Sequence, residues 1–191
     1  MKSTRTLGAC VAIAGAALAL AGCGAGEPAA TPSASSDAAT VPAPETNAQM
    51  KAEGAPGLSA TTYYYFEAMT YAQQTGQTDD MLAVTDDCAQ CTKTAQAIAK
   101  VYADGGKIEG GQPKPQDVAA VGEVNKKGEL SAIVPFMQDA EKILDKDGKV
   151  VDETEWDNDG TTYTVTGRYA EGSWKITALK ETPAAQVPEG E

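Results

Sequence analysis

Two cysteines three residues apart, in Asp86-Asp87-Cys88-Ala89-Gln90-Cys91, are the first groups in this sequence with an evident chemistry. Such a pair at the start of a helix can serve thiol exchange, because the helix dipole stabilises a thiolate. It can equally close a disulfide, since residues i and i+3 of a helix lie within bridging distance, or supply half of a zinc site. The surroundings favour the disulfide. Asp86 and Asp87 raise a neighbouring thiol pKa instead of lowering it, and Ala89-Gln90 brings no basic residue. The preceding segment has a helical pattern, whereas a thioredoxin-like redox pair follows a strand, and zinc would have to take its other ligands from carboxylates. Closing so short a loop contributes about 2 kcal/mol or less and serves to fix a turn between helices.

The remaining candidates are phenols and carboxylates. Tyr65, Tyr71, Tyr163, Tyr169, Arg168 and Asp139 are side chains that bind or exchange protons where a fold brings them to a cavity. No two of them stand at a spacing diagnostic of catalysis, so no catalytic residue is assigned. The chain contains no histidine, which removes Ser-His-Asp and Cys-His chemistry and every His-based metal site. Asp145, Asp147, Asp152, Glu153, Glu155, Asp157 and Asp159 form an acidic cluster. Asp145-x-Asp147-Gly148 nevertheless lacks the other ligands of a calcium loop and reads as a solvated hairpin turn. No metal and no cofactor are implied. With 15 basic against 27 acidic residues, nucleic acid and anionic head groups are poor partners.

The elements that must position these groups fall into two halves. Ser59 opens a helix whose face carries Thr62, Tyr65, Phe66, Met69 and Ala72 or Gln73 and which stops at Gly76; Thr78 then caps a short helix containing Asp79 and Asp80. A third helix runs from the cysteine pair to Asp104, with Ala95, Ile98, Val101 and Tyr102 on one face, and ends at Gly105-Gly106. From Lys107 the period becomes that of strands. Lys107 to Gly111 is a short strand interrupted by Gln112-Pro113-Lys114-Pro115, Asp117 to Asn125 is the next, and Asn125-Lys126-Lys127-Gly128 is a hairpin turn. Glu129 to Leu144 reads as one strand that alternates over Leu130, Ala132, Val134 and Phe136, and Pro135 marks it as an edge strand or the site of a bulge. Turns at Lys146 to Lys149 and Asp157 to Gly160 flank a strand from Val150. The clean alternation of Tyr163, Val165, Gly167 and Tyr169 then turns at Glu171-Gly172 into Trp174, Ile176 and Ala178. The expected fold class is α+β, with three N-terminal helices packed on a curved antiparallel sheet of four to six strands.

Upstream, Lys2 and Arg5 precede an uncharged apolar run from Thr6 to Ala21, and the run closes on Leu20-Ala21-Gly22-Cys23. The run is shorter than the ~20 residues that span a bilayer and has the build of an export signal. Its closing tetrapeptide resembles the lipobox of bacterial lipoproteins. That resemblance implies cleavage after Gly22, a diacylglycerol on the sulfur of Cys23, and a domain held on the extracytoplasmic face of the cell membrane. Cys10 leaves with the signal, so Cys88 and Cys91 are the thiols of the exported fold, the setting in which disulfides persist. From Gly24 to Gly57 the composition of Ala, Pro, Ser, Thr, Gly and Glu has no apolar period, as in a disordered tether reaching about 30 Å. The expected organisation is therefore signal peptide 1–22, lipidated Cys23 and linker 23–57, folded domain 58–181 and disordered tail 182–191.

Helices followed by a meander that closes on Tyr163-x-Val165 and Gly172-x-Trp174-x-Ile176 resemble the nuclear transport factor two-like or SnoaL-like α+β cone. Together with the lipobox, Asp87-Cys88-x-x-Cys91 and Gly105-Gly106-x-Ile108-x-Gly110-Gly111, the pattern is similar to a family of uncharacterised actinobacterial lipoproteins of that shape. The resemblance implies a cavity between the sheet and the first helix and transfers no functional residue. The function expected is non-enzymatic binding of a small molecule or an envelope protein. Its rivals are a cone enzyme using Asp/Tyr acid-base chemistry and, behind that, a thiol oxidoreductase using Cys88 and Cys91.

Overall fold

The structure, a computed structural model, describes residues 41–155 and 161–182. The leader, Cys23, residues 24–40 of the tether, the turn at Asp157 to Gly160 and residues 183–191 of the tail lie outside the described residues. Structure starts earlier than the Ser59 boundary read from the sequence. Asn47 caps a 3-10 helix, Ala48–Lys51, by accepting from Gln49 N at 3.0 Å. The long helix α1 then runs Ala55–Thr75 with a proline in its first turn, where a missing N–H costs nothing. Ser59 is already inside it, and its hydroxyl donates to Val118 O instead of capping. Residues 47–57 therefore belong to the packed body and not to a linker. Trp174 Nε1 donates to Ala52 O at 2.9 Å and Tyr169 Oη to Lys51 O at 3.0 Å, so the end of the chain grips the beginning.

Helix α2, Asp79–Ala83, carries its acidic pair in the first turn. Helix α3, Ala89–Ala103, begins at Cys88, whose Sγ accepts from Cys91 N at 3.3 Å. Cys88 and Cys91 are joined by a disulfide with Cα atoms 5.3 Å apart, and both are buried. Asp86 N donates to Ile176 O and Ile176 N to Val84 O, so the loop carrying the bridge is pinned to the last strand. Among the described residues no helix is long and apolar enough to cross a membrane.

Eight strands follow: β1 Lys107–Gly110, β2 Pro113–Pro115, β3 Ala119–Val121, β4 Glu129–Gln138, β5 Glu141–Leu144, β6 Val150–Thr154, β7 Thr161–Ala170 and β8 Ser173–Thr182. They form a five-stranded antiparallel sheet, β2-β4-β7-β8 with β3 also paired to β4, and a three-stranded antiparallel sheet, β1-β5-β6. The larger sheet is the one the sequence anticipates, and the helices pack on it in the cone-like α+β plan. The smaller sheet arises because the stretch Glu129 to Leu144 is two strands, not one. It breaks after Gln138, and Ala140 O accepts from Gly111 N at 3.1 Å, which turns β5 out to pair with β1.

Two proline expectations need correcting. Pro113-Lys114-Pro115 pairs with Gln138, Met137 and Phe136 as an outer strand, because an antiparallel edge requires an inward N–H only at alternate residues. Gln116, the next such residue, donates to Pro135 O at 2.8 Å. Pro135 itself lies in an inner strand, paired with Thr162 without a bulge. The N–H it lacks is replaced by Tyr63 Oη, which donates to Gln116 O at 3.2 Å and accepts from Val118 N at 3.2 Å.

The core is one apolar mass around Tyr65, Phe66, Met81, Val134, Val165 and Ile176, joined by a smaller group of Leu58, Leu130, Ala132 and Trp174. A register shift between Thr166 and Gly167 bends β7 against β8 and moves the core face of β8 from Trp174 and Ile176 to Leu179. Gly167 has no room for a side chain, since a Cβ there would stand 2.5 Å from Leu58 Cδ1.

Candidate functional site

The C-terminal half of α1, the outer face of α3 and the small sheet enclose a hollow of about 260 Å³. Its walls are apolar, with Ile98 and Val101 from α3, Ile108 from β1 and Ile143 from β5, while Gln90 and Lys93 stand on the α3 side. Its polar end is made by Gln73 and Glu141. Gln73 is 4% exposed, and its Nε2 donates to Gly111 O and to Glu141 Oε2, both at 3.0 Å. Its Oε1 is buried and has no hydrogen-bond partner among the described residues. A buried polar oxygen without a donor costs about 1–3 kcal/mol, which makes this oxygen a natural place for a donor to arrive.

Local structure brings these two residues together across 68 positions of sequence. Gly76 ends α1 in the left-handed conformation at φ 78°, and the ring of Tyr102 packs so closely over it that a Cβ would be 2.6 Å away. Tyr102 Oη donates to Gln73 O, which locks α3 onto the turn of α1 that carries the amide. On the other side, Gly110 and Gly111 both hold φ of 73°, a region that favours glycine. A Cβ on Gly111 would lie 2.4 Å from Glu141 Oε2, so this glycine makes the space the carboxylate occupies. The repeated glycines of Gly105-Gly106-x-Ile108-x-Gly110-Gly111 thus end α3, place Ile108 in the wall and admit Glu141 to the floor.

Burial pushes the Glu141 carboxyl above its ordinary value; the Gln73 hydrogen bond opposes that shift and the negative charge of Asp152 adds to it. None of the ion pairs formed among the described residues includes Glu141, while its neighbour Lys142 is committed to Glu153 at 2.9 Å. A carboxylate lining an apolar hollow, with an amide hydrogen-bonded to it, can accept hydrogen bonds from a donor group that enters there. The two do not make a nucleophile with a base beside it, because an amide takes no part in proton transfer at neutral pH.

The candidate pocket residues read from the sequence do not meet here. Tyr65 is fully buried in the core, edge-on to Phe66 at 5.4 Å, and its hydroxyl has no hydrogen-bond partner among the described residues. Burial, with a smaller contribution from Tyr163, drives its pKa well up; Tyr163 is half-buried on β7 and is raised mainly by burial too. Tyr71 lines a different, shallower hollow of about 410 Å³ between α1, Pro113 and residues 41–44. Tyr169 is occupied by Lys51 O and by the face of Trp174, with ring centroids 5.5 Å apart. Arg168 pairs with Asp86 and so braces the disulfide loop against β7. Asp139 is exposed and holds Lys114 at 2.6 Å. Asp145 spends one carboxylate oxygen on the backbone N–H groups of Asp147 and Lys149, each at 2.9 Å, which is the work of a turn.

Sequence reasoning placed Gln73 only as an alternative to Ala72 on the face of the first helix, with no role in a site, and passed over Glu141. The signal available for them was indirect: a pair of glycines before a proline, and a carboxylate two residues from Ile143 on a four-residue strand.

Residues 25–180 match a protein family of unknown function, DUF6318. No curated protein sequence matches the chain. Among solved structures, the intermembrane space region of the chloroplast protein ARC6 is similar over 68% of this chain and 97% of its own, at 13% identity and a TM-score of 0.43. A putative aromatic ring hydroxylase from Novosphingobium aromaticivorans covers 65% and 92% at 16% identity and TM-score 0.41. An uncharacterized protein with a cystatin-like fold from Caulobacter vibrioides covers 67% and 89% at 15% identity and TM-score 0.39.

Proposed function

The chain belongs to the DUF6318 family, whose function is unknown, and from that premise we propose that it is a cell-envelope lipoprotein whose α+β domain binds a small molecule, without turnover, at Gln73 and Glu141. The observation that carries the reading is the buried, unpartnered Oε1 of Gln73 beside the Glu141 carboxylate at the end of an apolar hollow. Small-molecule sites have this composition, mostly apolar walls with a few convergent polar groups. The absence of histidine from the sequence supports binding over catalysis. Attachment through Cys23 rests on the basic residues, apolar run and closing Leu20-Ala21-Gly22-Cys23.

One observation favours a second reading, an enzyme: a carboxyl raised by burial, such as Glu141, suits a general base. Ala97 lies in the lining, exposed on α3, so Ala97→Trp fills the hollow without entering the core. Screening the full chain against a small-molecule fragment set by ligand-detected NMR is expected to give hits that Ala97→Trp abolishes. Hits that persist unchanged in Ala97→Trp would overturn the assignment of the site, and a hit chemically altered on incubation would favour the enzyme.

A further inference from the structure

Resting on the small-molecule reading above, we propose that the hollow takes an organic ammonium, a compact apolar molecule with a protonated primary amine held by the Glu141 carboxylate beside the Gln73 amide. The orientation of the Gln73 amide is fixed by what it touches. Its Nε2 faces two acceptors, Gly111 O and Glu141 Oε2, and turning the amide over would set oxygen against oxygen on both sides. The other end of the amide is therefore an acceptor, buried and without a hydrogen-bond partner among the described residues, and the carboxylate on the lining of the hollow is a second. Two acceptors, one of them anionic, select a cation with several N–H donors, and a primary ammonium supplies three.

The surroundings leave that role open. Lys142 is turned to Glu153 and Lys107 to Glu109, so neither cation of the small sheet serves Glu141. The charge of Asp152, close enough to raise the Glu141 pKa, adds to the attraction for a positive group. The walls of Ile98, Ile108 and Ile143 fit a hydrocarbon body, and about 260 Å³ of space holds a compact one. Net charge of −12 draws cations toward the whole molecule. The rival occupant is an anion drawn to Lys93 on the lining.

Three probes of one shape and different charge decide between these: phenethylammonium, phenethyl alcohol and hydrocinnamate, titrated into the full chain at neutral pH. Phenethylammonium is expected to bind at least about tenfold more tightly than the alcohol, and the Glu141→Gln variant is expected to erase that margin. Equal binding of ammonium and alcohol, or preference for hydrocinnamate, overturns the ammonium assignment and leaves the small-molecule site standing. Failure of all three to bind, in a protein whose fragment screen also gives no hit, removes the site itself. Should Glu141→Gln not fold, the order of the three probes on the unaltered protein decides alone.

Discussion

At Glu141 the cost of placing a carboxyl in a half-buried position is written into the pH dependence of the fold. Its pKa is raised, chiefly by burial, so the folded chain holds this proton more tightly than the unfolded chain does. Between the ordinary carboxylate value and the raised one, stability therefore falls as pH rises, and above the raised value the loss is complete. Burial sets this window, the Gln73 hydrogen bond opposes the shift and the charge of Asp152 on β6 reinforces it; Lys93 stands on the α3 side of the same hollow. In Glu141→Gln that component disappears. Urea midpoints measured from about pH 4 to pH 7 should decline less steeply for the variant than for the unaltered protein. Superimposable profiles would mean that the carboxyl is not held in a desolvated place. The same ionisation governs ligand capture, because an ammonium is attracted only once Glu141 has lost its proton.

Among the elements, the strand β4 shows how a side chain from a helix completes a sheet. Pro135 cannot donate, and the gap it leaves between β2 and β3 is spanned by the hydroxyl of Tyr63. Tyr63→Phe should cost about 1 kcal/mol and speed hydrogen exchange at the Val118 amide. Unchanged protection at Val118 would show that water fills the place as well. This junction also explains where the sequence was legible and where it was not. The turns at Asn125 to Gly128 and Glu171-Gly172, the bodies of the three helices and the alternation of β7 are local, set by glycine positions and periodicity, and stand where the residues place them, whereas β8 keeps the expected face only through Trp174 and Ile176 before the register shift puts Leu179 in place of Ala178. The earlier start of α1, the pairing of β2 and the split of Glu129 to Leu144 depend on partners far away in sequence: Val118, Met137 and Gly111. No glycine or proline separates Gln138 from Glu141, so the stretch reads as one strand, and the pairing of β5 with β1 divides it. The site was illegible for the same reason. Gly110-Gly111 were visible as glycines, but what they make room for is a side chain 30 residues later.

For the whole molecule, position and binding are separable properties built into separate parts of the chain. Cys23 and the leader address the protein to a membrane, a property proposed from sequence alone. The body from residue 47 onward is closed on itself by Trp174 and Tyr169, which clamp Ala52 and Lys51, and by the buried Cys88–Cys91 bridge, whose loop Arg168 and Asp86 tie to β7. Gln73 on α1 is joined to Glu141 on β5 by a direct hydrogen bond and to Gly111 O by a second, which preorganises the proposed binding site. The most direct measurement is native mass spectrometry of the full-length protein extracted from its own membranes in detergent, alongside the Ala97→Trp variant. The account predicts a noncovalent small-molecule adduct on the unaltered protein that collisional activation releases and that Ala97→Trp lacks. An adduct absent from both proteins, or carried equally by both, would contradict it.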